Sequence, residues 1–383
     1  MNALAGSALR VLLVALFPRR GFSPGRRLLV LRTGSIGDLI VVVPTLRFLR
    51  SQLGVDGEIR LLTAISGNAN AARRGYSATE LLEGLHDGAI EFDPFQLRSK
   101  SYRTALRRRL TALRADRVIV LPYAGERFFG LVKKIIALRI LGIRRRPEGC
   151  LTPPGKPIRH QAARALQAAG ANSTQIAEHN TCEVGPFRDA AESLDAILDR
   201  AGIPADRPWL LIGMSAKFEH KRWPVEKFAA TIAEVRLRHD FHPILIGAAE
   251  DIPLAERLQG LSPLPCSNLC GRLTLRETVE LARRAAAYVG NDTGAAHLAA
   301  AAGIPTITVF SGIHGPGVWD PWSPHNVSIR HTVPCYPCRS ETYCPTGTME
   351  CLRSIQPLEV ASRVIGILAS SKPVDHPCAS VPN

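Results

Sequence analysis

The sequence contains no uncharged apolar run of the roughly 18 to 20 residues that a membrane-spanning helix requires. It also contains no internal repeat and no low-complexity tract. Hydrophobic residues make up 46% and charged residues 21% of the 383 residues, a composition typical of folded globular chains rather than disordered ones. We therefore expect a protein that is soluble or peripheral to a membrane, and the length favours two domains.

Cysteine is also scarce for a chain of this length. Nine cysteines are too few for a disulfide scaffold, and the odd number argues against full pairing, so a reducing cytoplasm is expected. The N-terminal segment, residues 1–24, is apolar and basic, but Arg10 interrupts its apolar run and the Arg19-Arg20 pair follows that run. This order is not typical of a signal peptide. We expect a helix that lies on a membrane surface or packs on the body.

The positive charge is confined to the first half of the chain. Residues 1–190 hold 30 Lys and Arg against 14 Asp and Glu, whereas the remainder holds 18 against 19. Two basic segments, residues 98–117 and 128–146, show helical spacing and suit either a membrane interface or ordinary helices with one face in a core. The electrostatic field of a positively charged half attracts phosphate groups. A basic face that is simply solvated would explain the charge distribution equally well. Nucleic-acid modules are lacking, so we expect no nucleic-acid partner.

Short apolar runs alternate with helix-like segments, which predicts an α/β protein with parallel, doubly wound sheets. The turn-rich stretch at residues 200–208 separates two such series. We therefore predict a first domain at residues 25–200 and a second at residues 206–356, with a boundary near residue 205. The predicted strands are Leu28–Leu31, Ile59–Leu62, Val118–Leu121, Leu210–Ile212, Pro243–Gly247, Ala287–Gly290 and Pro305–Phe310.

The most informative segment follows the predicted strand that ends near Gly290. Asp292, Thr293 and Gly294 fall at the start of an alanine-rich helix that also carries His297. The free backbone amides and the positive end of the helix dipole suit a diphosphate. An N-cap without a ligand is the alternative.

Two further loops could contribute to the same site. Ser215, Lys217 and Lys221 lie between a strand and a helix, where cations can neutralise a pyrophosphate leaving group. Gly247 and Glu250 follow the next strand, a placement often used to hold ribose hydroxyls. A solvated Lys-Arg loop would explain the first pattern equally well, and the second is weak by itself.

In the first half, Gly34, Gly37 and Asp38 lie between a strand and a helix. The glycines allow close backbone approach, and Asp38 is placed where a carboxylate could accept a proton from an acceptor hydroxyl. A helix N-cap is the alternative role for Asp38. The full G-x-G-x-x-G dinucleotide fingerprint is absent.

Four cysteines are clustered late in the chain. They are Cys335, Cys338, Cys344 and Cys351. Thiolates at such spacing can hold Zn or Fe tetrahedrally, and such a metal would have a structural role. Reduced cysteines packed in a proline-rich loop are the alternative.

Together, the motifs resemble those of glycosyltransferase family 9, the ADP-heptose:lipopolysaccharide heptosyltransferases. The resemblance extends over residues 27–370. The matching segments, in order, are Arg32-Thr-Gly-Ser-Ile-Gly-Asp38 with Pro44, Lys221-Arg-Trp-Pro224, Gly247-Ala-Ala-Glu250, Asn291-Asp-Thr-Gly-Ala-Ala-His-Leu298 and Cys351-Leu-Arg-Ser-Ile355.

This resemblance implies a GT-B fold, with two Rossmann-like domains that face a cleft. It implies a C-terminal helix at residues 357–370 that crosses back to the first domain, followed by a tail at residues 371–383. It also implies inverting transfer without a catalytic metal, which agrees with the lack of any Asp-x-Asp pair. Asp38 would be the general base, Lys221 a phosphate ligand and Glu250 a ribose contact, while Asp292, Thr293, Gly294 and His297 would belong to the nucleotide-diphosphate site.

The implied reaction moves a heptose from an ADP-heptose-like donor to a lipopolysaccharide core or another phosphorylated, lipid-linked saccharide at the inner face of the cytoplasmic membrane. The loop from Ser215 to His220 departs from the threonine-rich form of the best-known members, which leaves a UDP or GDP sugar donor, or an epimerase activity, open. A non-catalytic protein that binds membranes or nucleic acid is the alternative from a different class.

Overall fold

The computed structural model describes residues 12–13, 15–17, 26–54, 56–64, 78–121, 128–144, 147–149, 160–338, 340 and 342–370, with only the backbone for residues 128–131. The tail at residues 371–383 and most of the N-terminal segment at residues 1–24 lie outside these ranges. The chain divides into two compact units, Met1–Cys182 and Glu183–Asn383.

The first unit is built on a parallel sheet of four strands in the order β3-β2-β1-β4. Its strands are β1 (Arg27–Leu31), β2 (Glu58–Ala64), β3 (Ala89–Phe92) and β4 (Arg117–Val120). Its helices are α1 (Ile36–Ile40), α2 (Val43–Leu53), α3 (Lys100–Ala112), α4 (Phe128–Ile140), α5 (Gln161–Ala168) and α6 (Ser173–Glu178). Leu13 and Phe17 of the N-terminal segment are buried in the core of this unit. For these two residues, the structure agrees with the alternative that the segment packs on the body of the protein.

The second unit is built on a parallel sheet of six strands in the order β10-β9-β8-β5-β6-β7. The strands are β5 (Trp209–Gly213), β6 (His242–Leu245), β7 (Ser267–Asn268), β8 (Ala287–Asn291), β9 (Thr306–Val309) and β10 (Asn326–Ile329). The helices are α7 (Arg188–Arg200), α8 (Val225–Arg236), α9 (Ile252–Leu261), α10 (Leu275–Arg283), α11 (Gly294–Ala301), α12 (Glu350–Arg353) and α13 (Pro357–Ser370).

The strands that the sequence predicted are those whose residues are buried. Every residue of β5, β6, β8 and β9 is buried, because helices cover both faces of a parallel sheet and its strands then form continuous apolar runs. The three strands absent from the sequence prediction, β3, β7 and β10, are edge strands whose residues are mostly half-exposed. Their mixed composition carries no apolar run to detect.

The division between the units lies earlier than the boundary expected near residue 205. Helix α7 packs against α10 of the second unit, and the Ser193 hydroxyl donates a 2.5 Å hydrogen bond to the Glu277 carboxylate. An ion pair between Arg284 and Asp195 joins the same helices. Helix α7 therefore belongs to the second unit, although the turn-rich stretch at residues 200–208 follows it in the sequence.

The C-terminal helix α13 occupies the predicted residues and packs against α8. Val360, Ala361, Val364 and Leu368 recur at helical spacing and are buried, as expected for an amphipathic helix on a core. The Lys227 ammonium of α8 also donates a 2.6 Å hydrogen bond to the Ile355 carbonyl. The helix is thus fixed to the second unit, and its crossing to the first domain stays a prediction.

Glycine at position 290 is required by close packing at the end of β8. A Cβ atom there would lie 2.1 Å from the Tyr288 hydroxyl and 2.6 Å from the Gly213 carbonyl oxygen. We expect Gly290→Ala to lower the free energy of unfolding by about 1–3 kcal/mol, because overpacking forces buried groups to move. Gly260→Ala in α9 is the matched control, since a Cβ atom there meets nothing within 4 Å and helical propensity favours alanine. Urea denaturation of both variants would measure this, and equal stability would contradict the expectation.

Candidate functional site

The polar residues of the second unit converge where the strand order of its sheet reverses. Strand β5 connects towards β6 and β7 on one side, whereas β8 connects towards β9 and β10 on the other. In open parallel sheets, ligands bind outside the carboxyl ends of the strands at such a switch point. Lys221 follows β5 and Asp292 follows β8, and a 2.6 Å ion pair joins the Lys221 ammonium to the Asp292 carboxylate.

A buried asparagine fixes the loop that carries Lys221. Asn291, the last residue of β8, is fully buried, and its amide nitrogen donates a 2.8 Å hydrogen bond to the Met214 carbonyl. Its amide oxygen accepts a 3.0 Å hydrogen bond from the Trp223 backbone amide. The two partners lie on either side of the short helical turn that ends at Lys221. Asn291 therefore holds both ends of this loop against β8, and it is a site residue to which sequence reasoning gave no role.

The start of α11 is open to a ligand in the way an anion site requires. Thr293 is the N-cap residue with an extended backbone, and its side chain makes no capping hydrogen bond. The first amides of a helix need partners from outside the helix, and they attract negative charge. The side-chain cap that the sequence left as an alternative for Thr293 is therefore not formed. His297, in the first turns of α11, is 4% exposed and meets the ring of Trp319 edge to face, with 6.4 Å between ring centres.

The other predicted donor-site residues lie on neighbouring loops of the same edge. The Ser215 hydroxyl donates a 2.5 Å hydrogen bond to the Asp251 carboxylate, which also accepts a 2.9 Å hydrogen bond from the Ala248 amide. This network ties the loop after β5 to the loop after β6. Glu250 is exposed in that second loop. Lys217 is exposed, with its ammonium 5.3 Å from the centre of the Phe218 ring.

The first unit holds Asp38 at its own switch point, between β1 and β4. One oxygen of the Asp38 carboxylate pairs with Arg32 at 3.1 Å. The other accepts hydrogen bonds from the Ser35 amide at 2.7 Å and from the Ser35 hydroxyl at 3.0 Å. Asp38 is thus the third residue of α1 and forms a capping box with the N-cap residue Ser35. Asp38 therefore takes part in capping the helix, which is the alternative role that the sequence left open. Its side chain remains 13% exposed.

Gly34 makes this arrangement sterically possible. Its φ of +143° lies in a region that favours glycine, and a Cβ atom there would lie 2.3 Å from the Asp38 carboxyl group. Gly37 is buried in the first turn of α1. The guanidinium of Arg32 is fully buried beneath them. Burial lowers the pKa of Arg164 and the charge of Arg32 lowers it further, so two guanidinium groups lie near this loop.

The four late cysteines line one small cavity together with His220 and Gly312. Burial raises the pKa of the Cys351 thiol, and the nearby Cys335, Cys344 and Cys338 raise it further. The Cys338 amide donates a 2.8 Å hydrogen bond to the Gly312 carbonyl. Among the described side chains, no three His, Cys, Asp or Glu are arranged to coordinate a metal ion. The cavity nevertheless abuts both the turn that carries Lys221 and the loop after β9.

The two basic segments form helices α3 and α4, each with one face in the core of the first unit. Leu106 and Leu110 of α3 and Ile135 and Leu138 of α4 are buried in the same cluster. The opposite faces expose basic side chains together with Ile136 and Ile140 of α4. The exposed basic residues are Lys100, Arg107, Arg108, Arg109, Lys133 and Arg139. Within the described part of the chain, no helix combines the length and the apolar character needed to cross a membrane.

Residues 161–347 match the model of glycosyltransferase family 9 (heptosyltransferase). The matched segment, just under half of the chain, is therefore similar to this family. The lipooligosaccharide heptosyltransferase 2 of Haemophilus influenzae is 32% identical to it over 145 residues, which are 37% of this chain and 41% of that relative. The alignment therefore spans less than half of the relative. The match begins at residue 161, near the end of the first unit, so it does not include the loop that holds Asp38.

Solved structures of glycosyltransferases share the fold over most of the chain. The ADP-heptose lipopolysaccharide heptosyltransferase II of E. coli has a TM-score of 0.64 at 19% identity, and the comparison covers 90% of this chain and 98% of that one. The iron-containing dodecameric glycosyltransferase TibC of E. coli has a TM-score of 0.52 at 16% identity, and the comparison covers 90% of this chain and 77% of TibC. The predicted GT-B fold class is thus confirmed, with one parallel α/β sheet in each unit.

Proposed function

We propose that this chain is an inverting glycosyltransferase that moves a heptose from an ADP-heptose-like donor to a lipopolysaccharide core or another phosphorylated, lipid-linked saccharide. The observation that carries the proposal is the switch point of the second sheet, where Lys221 and Asp292 meet beside the uncapped start of α11. A cation and a helix N-terminus at one place suit a diphosphate. The similarity of residues 161–347 to family 9 favours glycosyl transfer over the epimerase and non-catalytic alternatives.

In the proposed reaction, the second unit stabilises the leaving group. Negative charge develops on the pyrophosphate as the glycosidic bond breaks. The Lys221 ammonium and the amides of Thr293 and Gly294 are aimed at that charge before the reaction begins, and such preorganisation lowers the barrier. Glu250, exposed after β6, would accept hydrogen bonds from the ribose hydroxyls. These residues and His297 are our proposed donor contacts.

Asp38 is the proposed general base of the first unit. The acceptor hydroxyl attacks the anomeric carbon from the face opposite the diphosphate and gives its proton to the Asp38 carboxylate, which inverts the configuration. Arg32 and Ser35 fix the direction of this carboxylate. Gly34 places no side chain against this carboxylate, where a Cβ atom would lie 2.3 Å from it. A sugar donor that carries UDP or GDP instead of ADP would contact the same protein groups. The identity of the nucleotide must therefore be measured.

The acceptor proposal includes peripheral binding at the cytoplasmic face of the inner membrane through helices α3 and α4. Their exposed arginines and lysines, with Ile136 at 39% and Ile140 at 57% exposure, combine the charge and the apolar contact that an anionic lipid surface attracts. A groove of about 540 Å³ beside them is lined by Arg27, Arg114 and Arg144. This face would use part of the charge excess of the first half.

We also propose that the four late cysteines, which share one cavity but are not arranged as a coordination shell in the described structure, close around a structural Zn or Fe ion when it binds. Four soft thiolate donors in one cavity suit these metals, and the cavity, about 20 Å³, has room for a single small occupant. The iron-containing neighbour TibC supports the idea. The ion would brace the loops after β5 and β9 through His220 and Gly312 and would take no part in the chemistry.

The catalytic assignment predicts different effects for two substitutions. Asp38→Asn should reduce turnover at least a thousandfold yet leave donor affinity nearly unchanged, because a base acts only in the transition state. Lys221→Ala should weaken both donor affinity and turnover, because the ammonium contacts the diphosphate before and during transfer. Single-turnover assays and calorimetry with a panel of nucleotide sugars would separate the two. Undiminished turnover of Asp38→Asn would remove this residue from the mechanism.

The metal assignment predicts about one Zn or Fe per chain in protein purified without chelators. A double variant, Cys338→Ser with Cys351→Ser, should lose the metal and melt at a lower temperature. Cys266→Ser, which changes a buried thiol outside the cavity, should retain it. Elemental analysis by mass spectrometry is the measurement. Wild-type protein with negligible Zn and Fe would refute the assignment.

The membrane assignment predicts salt-sensitive sedimentation with vesicles that contain phosphatidylglycerol, and none with pure phosphatidylcholine. Arg107→Gln with Arg108→Gln should weaken binding roughly thirtyfold, because each basic residue near an anionic surface contributes about 1 kcal/mol. The matched control, Arg236→Gln with Arg238→Gln, removes two exposed arginines from the second unit. Equal losses in both double variants would show that net charge alone drives the binding.

A further inference from the structure

The loop after β9 contains aromatic and histidine side chains to which none of the donor contacts proposed above assigns a role. Trp319 lies between two histidine rings. Its ring centre is 6.4 Å from that of His297 in α11 and 6.2 Å from that of His314 in the same loop. Trp319 is only half-buried, so part of a large aromatic surface is presented beside the start of α11. The one acidic side chain of this loop, Asp320, is paired with Arg330, so the loop differs from those after β5 and β8 in presenting mainly rings beside α11.

The position of this loop along the sheet limits what it can contact. The strand order places the loops after β6, β5, β8 and β9 side by side along the carboxyl edge, at intervals of about 4.8 Å per strand. In the proposed function, the ribose contact is Glu250 after β6, and the diphosphate contacts are Lys221 after β5 and Gly294 after β8. A nucleotide sugar that continues in the same direction brings its sugar to the loop after β9.

The backbone beside Trp319 is held in place by Asp320. The Asp320 carboxylate accepts hydrogen bonds from the Gly317 amide at 2.5 Å and from the Ser328 hydroxyl at 2.6 Å. It also pairs with Arg330, whose guanidinium lies 3.7 Å from the centre of the Phe310 ring. The loop is therefore fastened to β10 and to the end of β9. An aromatic side chain on a fixed loop is preorganised for binding.

We propose that Trp319 forms the floor of a subsite for the transferred sugar and thereby contributes to the choice of donor. The inference rests on the proposed function. The C–H face of a sugar ring packs on an aromatic ring and removes apolar area of both from water. His314 and His297 flank that ring, where their nitrogens can meet sugar hydroxyls. A nucleoside diphosphate without the sugar ends before the loop, so it makes no contact with Trp319.

The test compares ADP with ADP-heptose on the full chain by isothermal titration calorimetry. Trp319→Ala should lower the affinity for ADP-heptose about tenfold and change the affinity for ADP less than twofold. Trp319→Phe should retain most of the ADP-heptose affinity because it keeps an aromatic face. Phe95→Ala, which removes an exposed aromatic ring from the first unit, should affect neither ligand.

Two results would overturn the subsite while leaving the proposed function intact. One is unchanged ADP-heptose affinity in Trp319→Ala. The other is an equal loss of ADP and ADP-heptose affinity, which would place Trp319 at the diphosphate or in the packing of the unit. Wild-type chain that binds neither ligand would instead reject the proposed ADP-sugar donor, and the subsite with it. Unchanged ADP affinity also shows that the variant is folded.

Discussion

The organisation of the second unit depends on the contact between Lys221 and Asp292 at the point where the strand order reverses. These groups are 17% and 8% exposed, so each would be costly to bury without the other. Their pairing holds the loop after β5 against the loop after β8 at the one place where helices on the two faces of the sheet diverge. An anionic ligand that enters there meets the ammonium and the helix start together, because the sheet has already brought them into contact.

Asn291 holds the loop after β5 against β8 without the help of this ion pair. Its amide group bonds to Met214 and to Trp223 in the interior, where an unpaired polar group costs about 1–3 kcal/mol. The loop therefore keeps its position even if the ion pair opens to admit a phosphate. The residues that line the cysteine cavity also bring the loops after β5 and β9 together, since His220 belongs to the first and Gly312 to the second. The three loops are thus braced from behind, and their outward groups remain available for a ligand.

Much of this arrangement was predictable from the sequence, and the exceptions have identifiable causes. The placement of Lys221, Asp292 and Gly294 beside one another could be predicted because charge and glycine follow apolar strands, whereas their role in donor binding stays a prediction. The hydrogen bonds of Asn291 and the ring contacts of Trp319 were not predicted, because both depend on which strands are neighbours. The order of strands along the chain differs from their order in the sheet, β9-β8-β5-β6. The edge strands were missed because half-exposed residues leave no apolar run. The GT-B class came from the resemblance and not from periodicity.

Asp38 shows how one carboxylate can serve both as a helix cap and as the proposed base. Its hydrogen bonds from Ser35 and its pairing with Arg32 fix the direction of the carboxylate. Transfer through an oxocarbenium-like transition state does not require a strong base, because the acceptor hydroxyl becomes acidic only as its oxygen bonds to the anomeric carbon. What the reaction needs is a carboxylate fixed in direction. The capping box and Arg32 supply this, so the structural role of Asp38 prepares the catalytic role that we propose for it.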